Sequence, residues 1–499
     1  MKRFYNSKLI EENGVEGCCN TASGSYASVG GGRCNAALLS YATVAGGFCN
    51  TASAQASNIA GGRCNTASGY YSNVAGGSEN TASCFYGIVG GGRYNIASNH
   101  SSTVAGGFCN TASGSWSSVG GGFGNTASGD RSTVSGGDCN TASGIRSTVG
   151  GGLYNTASGS FSTASGGYIN TASGDFSTVG GGACNTASDR YSTVSGGRYN
   201  SASNYHSTVG GGACNTASCS FSTVSGGCCN TASGATSTVG GGVCNNASCD
   251  NSTVGGGYWN TASGIQSIVG GGVLNTASGR RSSVGGGISN NASGFGSTVG
   301  GGENNTASGT YSDYDGNPVY GNETVGGGKS NTASGFYSTV GGGKENTASN
   351  YVSIVAGGSR NKACGFITFV GGGRYNTASG GYSAVVGGEC NTASGNQSII
   401  GGGSCNTASG CRSAILNGCN NNSNLQCNTF ILGSNITASE PNFTYVNNLS
   451  SGGAIFANTF RVGNSTTASG PVGTVVKKIQ IFDSTGTSLG FIPVYNSIT

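Results

Sequence analysis

The sequence predicts an all-β chain wound as a parallel β-solenoid. Three observations predict it: a 15-residue period, 99 glycines in 499 residues, and an apolar residue at one fixed place in nearly every period. Asn20-Thr21-Ala22-Ser23-Gly24 returns at 110–114, 155–159 and 260–264. Stepping by 15 from Asn20 meets an Asn at each of 20 stops to Asn305 and, after one change of register, at seven more from Asn331 to Asn421, about 27 repeats in all. Composition excludes the alternatives. Charged residues make up only 8% of the chain, too few for the polar faces of an α/β enzyme's helices. Collagen needs Gly at every third residue and far more than 4 Pro, and disorder needs a net charge well above +4 with fewer than 35% hydrophobic residues.

Residues 1–17 carry Lys2, Arg3, Lys8, Glu11, Glu12 and Glu16, and form either a cap over the open edge of the first coil or a segment that docks the rod on a carrier. They hold no apolar run of the length a secretory signal needs. Residues 18–421 form the rod. Each repeat reads N-T-A-S-G-x-x-S-T-V-G-G-G-x-x, two halves that each place small or β-branched residues before a Gly-containing turn, hence two short strands per coil. The Ala22 and Val29 columns, seven residues apart, are the inward pair. Val44, Ile59, Val74 and later Val370 and Ile400 continue the second column, with Ala164 its small exception. Gly triplets supply positive φ and close backbone approach. At about 4.8 Å per coil, the rod would be roughly 130 Å long. An 11-residue insertion at 313–323, between Ser312 and Thr324, must project from it, as a binding face or as a tolerated surface loop. Residues 422–499 lose the period; 478–482 and 491–495 read as a hairpin within a terminal β cap or knob.

The alternation A-S-G-x-x-S…G-x-x-N resembles the head repeats of trimeric autotransporter adhesins, the YadA-like β-roll, which also recur in phage tail fibres and in proteins of large DNA viruses. The resemblance covers residues 18–421 and implies a left-handed β-roll, three copies packed side by side as a homotrimer, and surface attachment. The repeat here has 15 residues where those commonly have 14, the extra one lying in the Gly triplet. Autotransporters also carry an export signal and a membrane-anchoring barrel, and neither is read here. The expectation is therefore a virion fibre or spike, fixed to the virion or a carrier protein at one end and binding a host glycan or receptor by multivalent contacts. The run from Asn442 through Phe443, Tyr445 and Val446 to Leu449 resembles the ends of viral fibre proteins. A cell-surface adhesin is the first alternative. An ice-binding solenoid is the second, since outward Thr21 and Ser23 would repeat as a hydroxyl array similar to Thr-x-Thr ice ladders, unless a trimer buries that face.

Two sets of residues are candidate sites. Cys19, Cys34, Cys49 and Cys64 precede the Asn in four consecutive coils, and Cys214, Cys229 and Cys244 in three. Residues 15 apart stack, so the column admits inter-coil disulfides, thiols acting as small apolar filler, or a metal, the last disfavoured because a linear ladder does not converge four ligands. Turn aromatics Tyr26, Trp116, Phe161, Phe176 and Tyr191, with Tyr314 and Tyr320 of the insertion, are candidate receptor contacts or ordinary exposed and interface residues. His100 and His206 read as surface residues. No enzyme is expected: two His make no recurring triad, the 17 acids form no column, and no helix or Lys-Ser/Thr pair follows the Gly triplets. No cofactor or metal is expected, scattered Lys and Arg give no nucleic-acid footprint, and no run of 18 apolar residues offers a membrane span.

Overall fold

The structure, a computed structural model, describes residues 18–309, 311–312, 318–319, 321–447, 475–482 and 488–495. Among them there is no helix, and the chain is an all-β parallel solenoid. The segment at 1–17 lies outside the described residues. In the coil that begins at Asn110, Thr111–Ala112 pairs in parallel with Thr126–Ala127 and Ser118–Val119 with Thr133–Val134, each residue facing its equivalent 15 positions on. Among the described residues this stacking builds one sheet of 26 strands of the Thr-Ala type and one of 28, the last two of which, Phe430–Leu432 and Thr444–Val446, lie outside the repeat. A one-residue slip would turn every Ala outward and every Thr inward, which pins the register. Beyond the two expected strands, each coil adds a third ladder. The residue after the Gly triplet bridges to both neighbours, Phe108 to Phe123 and Phe123 to Asp138.

From Ala37 and Val44 onward the Ala and Val columns, Ala164 included, are fully buried and make the thin core expected of them, with Ala22 of the first coil partly buried against it. Two polar columns share that interior: Asn, from Asn35 to Asn421, and Ser, from Ser57 to Ser413. Buried polar groups must be hydrogen-bonded, and Asn shows how. Asn155 Nδ2 donates to Gly151 O at 2.8 Å and to Gly167 O at 2.9 Å, while its Oδ1 accepts the Asn170 N–H at 2.9 Å. Each Asn thus clamps the Gly turn at its own corner to that of the next coil.

Three sequence expectations are corrected. Gly supplies the positive φ at the third place of each triplet, as at Gly152 (φ +85). At the other corner the second variable residue takes it instead: Tyr26 (φ +62), Trp116 (+63), Phe161 (+59). Gly is used there for space, since a Cβ on Gly159 would stand 2.0 Å from Gly174 O. A side chain in the left-handed region costs roughly 1–2 kcal/mol, offset in part because the same residue's N–H donates to the preceding coil, Phe161 to Ile145 O at 2.7 Å.

The insertion is also displaced. Glu323, not Ser312, fills the Ser slot, for Thr298 N–H donates to Glu323 O at 2.8 Å just as Ser283 N–H donates to Ser297 O at 2.8 Å. The extra residues therefore lie between Gly309 and Glu323. The ladder crosses them unbroken, with Thr298 facing Thr324 and Asn331 N–H reaching Asn305 Oδ1 at 2.9 Å. Tyr311–Ser312 pairs antiparallel with Pro318–Val319; Tyr314 and Tyr320 lie outside the described residues.

Finally, the period ends at Asn421 but the stacking does not. Phe430–Leu432 adds to Ala414–Ile415, Thr444–Val446 adds to that, and a Cys411–Cys427 disulfide with Cα atoms 4.6 Å apart ties the last regular coil to the irregular one. Val475–Phe482 and Ser488–Tyr495 form an antiparallel hairpin, longer at both strands than the pattern indicated.

Candidate functional site

Stacking turns each variable position into a column, and the left-handed corner after Ser-Gly is the most developed. Phe161, Phe176, Tyr191, His206 and Phe221 stand one above another with centroid separations of 4.8, 5.0, 4.7 and 5.2 Å and planes within 18° of parallel. The coil rise of about 4.8 Å falls inside the range at which rings stack favourably. Arg146 lies 5.1 Å over Phe161 at one end and Arg190 4.9 Å over Tyr191 at the flank. The five described aromatic candidates, Tyr26, Trp116, Phe161, Phe176 and Tyr191, therefore occupy one column, and the last three are contiguous. Trp116 belongs to a separate stretch beside His100, centroids 5.2 Å apart, and is 59% exposed; Phe161 and Phe176 are about 40% exposed and Tyr191 half-buried. Shorter stacks occur at Tyr26–Tyr41, Tyr71–Tyr86 and Phe336–Tyr351–Phe366. Both histidines thus stand in ring columns, which the sequence reading missed. The available signal was their distance, 15 residues for His206, from an aromatic neighbour. Such a ridge presents aromatic edges with guanidinium groups alongside, chemistry suited to the apolar faces and acidic groups of glycans.

The cysteine column is the second left-handed corner. Cys19, Cys34, Cys49, Cys64, Cys214, Cys229 and Cys244 are free thiols at φ between +53 and +67. They sit on the outside of the corner, not in the core. Their Cα spacing suits a disulfide, but in-register side chains keep Cβ atoms about 4.8 Å apart, beyond the roughly 3.5–4.5 Å a disulfide prefers. The thiols crowd one another: Cys18 and Cys19 sulfurs lie 3.3 Å apart, as do those of Cys228 and Cys229. Cys18 holds the Cys19 thiol above its ordinary range, and Cys229 is pushed up to about 11, chiefly by Cys228. For Cys49 the first cause is burial, followed by Cys34 and Cys64.

The sequence did not mark two further features of the fold. On the Thr-Val sheet, Thr133 and every equivalent to Thr253 are half-buried and outward, nine in succession. At the insertion, Glu323 is fully buried, and no described group makes a well-formed hydrogen bond to its carboxyl oxygens. Burial pushes this carboxyl up to about 7, the amides of Glu323 and Gly309 opposing more weakly. The folded chain therefore holds a proton that the unfolded chain releases. Stability from this group is greatest below about pH 4.5, falls as pH rises through the interval to 7, and is flat above, a swing of roughly 3 kcal/mol. Glu323→Ser restores the side chain of the other coils and is expected to raise the melting temperature at pH 8 while leaving it near the parent's at pH 4.5. Thermal unfolding at the two values checks this, and equal gains at both would refute it.

Residues 102–114 and 132–144 match the ubiquitous surface protein adhesin repeat. Each window runs from a buried Ser, through Thr-Val and the Gly turn, across the clamping Asn to the Gly that opens the next corner. No curated protein matches the chain. The coil that carries these columns is thus similar, over those windows, to the repeat of a surface adhesin.

Proposed function

We propose that the chain is a structural attachment fibre of a virion, assembled as a homotrimer and binding host glycans or a glycosylated receptor without catalysis. The observation that carries this reading is the in-register stack, which holds variable corner residues as long ridges on a stiff scaffold. A ridge offers many equivalent weak contacts at fixed spacing, and simultaneous engagement raises avidity far above that of any one contact. The adhesin-repeat match supports surface attachment. A particle-borne fibre accounts for the resemblance to viral fibre ends, and three copies would bury the flat hydroxyl faces. The test is binding of the purified chain to host cells together with immunogold labelling of purified particles. The parent is expected to bind at a native mass three times 48.6 kDa. A variant with Phe161, Phe176 and Tyr191 changed to Ser, a residue this corner accepts at Ser101 (φ +51), is expected to lose at least tenfold in apparent affinity. Unchanged binding removes the ridge from the function, and label on cell surfaces but never on particles favours the cell-surface adhesin.

The nine-threonine row favours one other reading, an ice-binding face. A monomer that shows thermal hysteresis, abolished by Thr193→Tyr, would establish it in place of the fibre.

A further inference from the structure

We propose that the stacked cysteines at 19, 34, 49 and 64, at 214, 229 and 244, and at 390 and 405 form rows of linear two-thiolate sites for a soft monovalent cation of the copper(I) type. All nine occupy the same left-handed corner position, with φ from +53 to +67. Their backbones are pinned by the inter-coil ladder: Cys34 N–H donates to Cys18 O at 2.9 Å, Cys49 N–H to Arg33 O at 2.9 Å and Cys64 N–H to Phe48 O at 2.8 Å. They are exposed or half-exposed free thiols, so a cation can reach them.

Geometry selects the coordination. Among the described residues no three His, Cys, Asp or Glu side chains converge on one point, as a tetrahedral or octahedral ion requires. With the zinc–thiolate bond of about 2.3 Å as a guide, a linear sulfur–metal–sulfur unit spans about 4.6 Å, and the coil rise sets neighbouring cysteine backbones about 4.7–4.9 Å apart, a spacing that side chains in one shared rotamer pass on to their sulfurs. In-register Cβ atoms, wider apart than a relaxed disulfide prefers, thus suit a bridging ion. Thiolates are soft ligands and select copper(I) over harder cations.

On uptake two S–H bonds break, two sulfur–metal bonds form, and two protons pass to water; no electron is transferred. One negative charge remains on each unit. Arg33 and Arg63 sit beside Cys34 and Cys64 in the chain, and the Arg33 charge acts on Cys49 in the direction that favours its thiolate. Because uptake releases protons, it should strengthen with rising pH.

The column contains its own controls. Cys109, Cys139 and Cys184 hold the same backbone position (φ +56, +53 and +56) with no cysteine one coil away, their neighbours being Tyr94, Gly124, Tyr154, Ile169 and Tyr199. The experiment titrates the reduced full-length protein with silver(I), a redox-inert probe of the same coordination preference, then alkylates it and measures each cysteine peptide by mass. With silver supplied for two sites in the row 19–64 and one each in the rows 214–244 and 390–405, Cys19, Cys34, Cys49, Cys64, Cys229, Cys390 and Cys405 are expected to be protected at least tenfold more than Cys109, Cys139 and Cys184, while Cys214 and Cys244 compete for the one partner between them. Ser fills this corner at Ser289 (φ +55), so Cys49→Ser keeps the fold; it is expected to leave Cys64 as reactive as the isolated thiols while Cys19 and Cys34 stay protected. Equal protection throughout, continued protection of Cys64 in that variant, or a Cys34–Cys49 disulfide in the protein as isolated would each overturn the proposal.

Discussion

Asn155→Asp is expected to break the solenoid at its own coil, at a cost of about 4 kcal/mol or more. The Asn155 amide is fully buried and directs its Nδ2 protons at two carbonyls, Gly151 O and Gly167 O. A carboxylate there brings a buried charge against two acceptors and leaves both carbonyls unpaired. Asn155→Ala also leaves these carbonyls and the Asn170 N–H without partners, but buries no charge, so its loss should be smaller, roughly 2–3 kcal/mol. The Asp variant's deficit should also depend on pH. Its carboxyl pKa is raised on folding, so acidification toward pH 4 restores a neutral group with one donor and narrows the gap to the Ala variant. Because coils couple to nearest neighbours, hydrogen exchange should show protection lost at Thr156 and Thr171 and retained at Thr261 and beyond. If Asp and Ala variants are equally stable at pH 7, the clamp does not hold the coils as described.

This clamp also marks how far the sequence could be read. Period alone makes columns, and columns alone identify Ala22 and Val29 as the inward pair, because apolar residues at a fixed place must share one face. Asn is different. At the head of a repeat it reads as a turn former, and its partners are carbonyls of two different coils, near one another only after stacking. The left-handed corner at Tyr26 was hidden for the opposite reason: local propensity assigns positive φ to Gly, and Gly24 stands two residues away, in a backbone where an added Cβ would meet the Leu39 carbonyl of the next coil. The insertion was placed late because Ser312 satisfies the repeat and Glu323 does not. The fold decides otherwise, since Thr324–Val325 joins the ladder and brings the preceding residue into the buried slot. Of the candidate sites, the sequence found Phe161, Phe176 and Tyr191 as separate turn aromatics. Their union with His206 and Phe221 into one ridge follows from the stacking of 15-residue coils.

Gly272→Ala is expected to cost more than 4 kcal/mol, a size reached only by a few named kinds of defect, while Gly271→Ala, one residue earlier, is expected to change stability by no more than about 0.5 kcal/mol. Gly272 has φ +89, where an L side chain is strained. A Cβ on it would stand 2.2 Å from Gly287 O, 2.6 Å from Asn275 Nδ2 and 2.8 Å from Gly287 N. Two of those atoms are backbone of the next coil and the third is the clamping amide, so relief by side-chain rotation is not available. At Gly271 φ lies outside the left-handed region and the nearest atom to an added Cβ is Gly256 O at 3.9 Å, ordinary contact. The added methyl there even restricts the unfolded chain slightly in favour of folding. Two adjacent residues of one triplet thus separate the requirement for a glycine from the mere presence of one. Denaturant unfolding of the two variants beside the parent measures the difference, with hydrogen exchange at Thr276 and Asn291 reporting whether the damage stays local. Comparable losses at both positions would mean that the triplet is needed for flexibility rather than for the approach of one coil to the next.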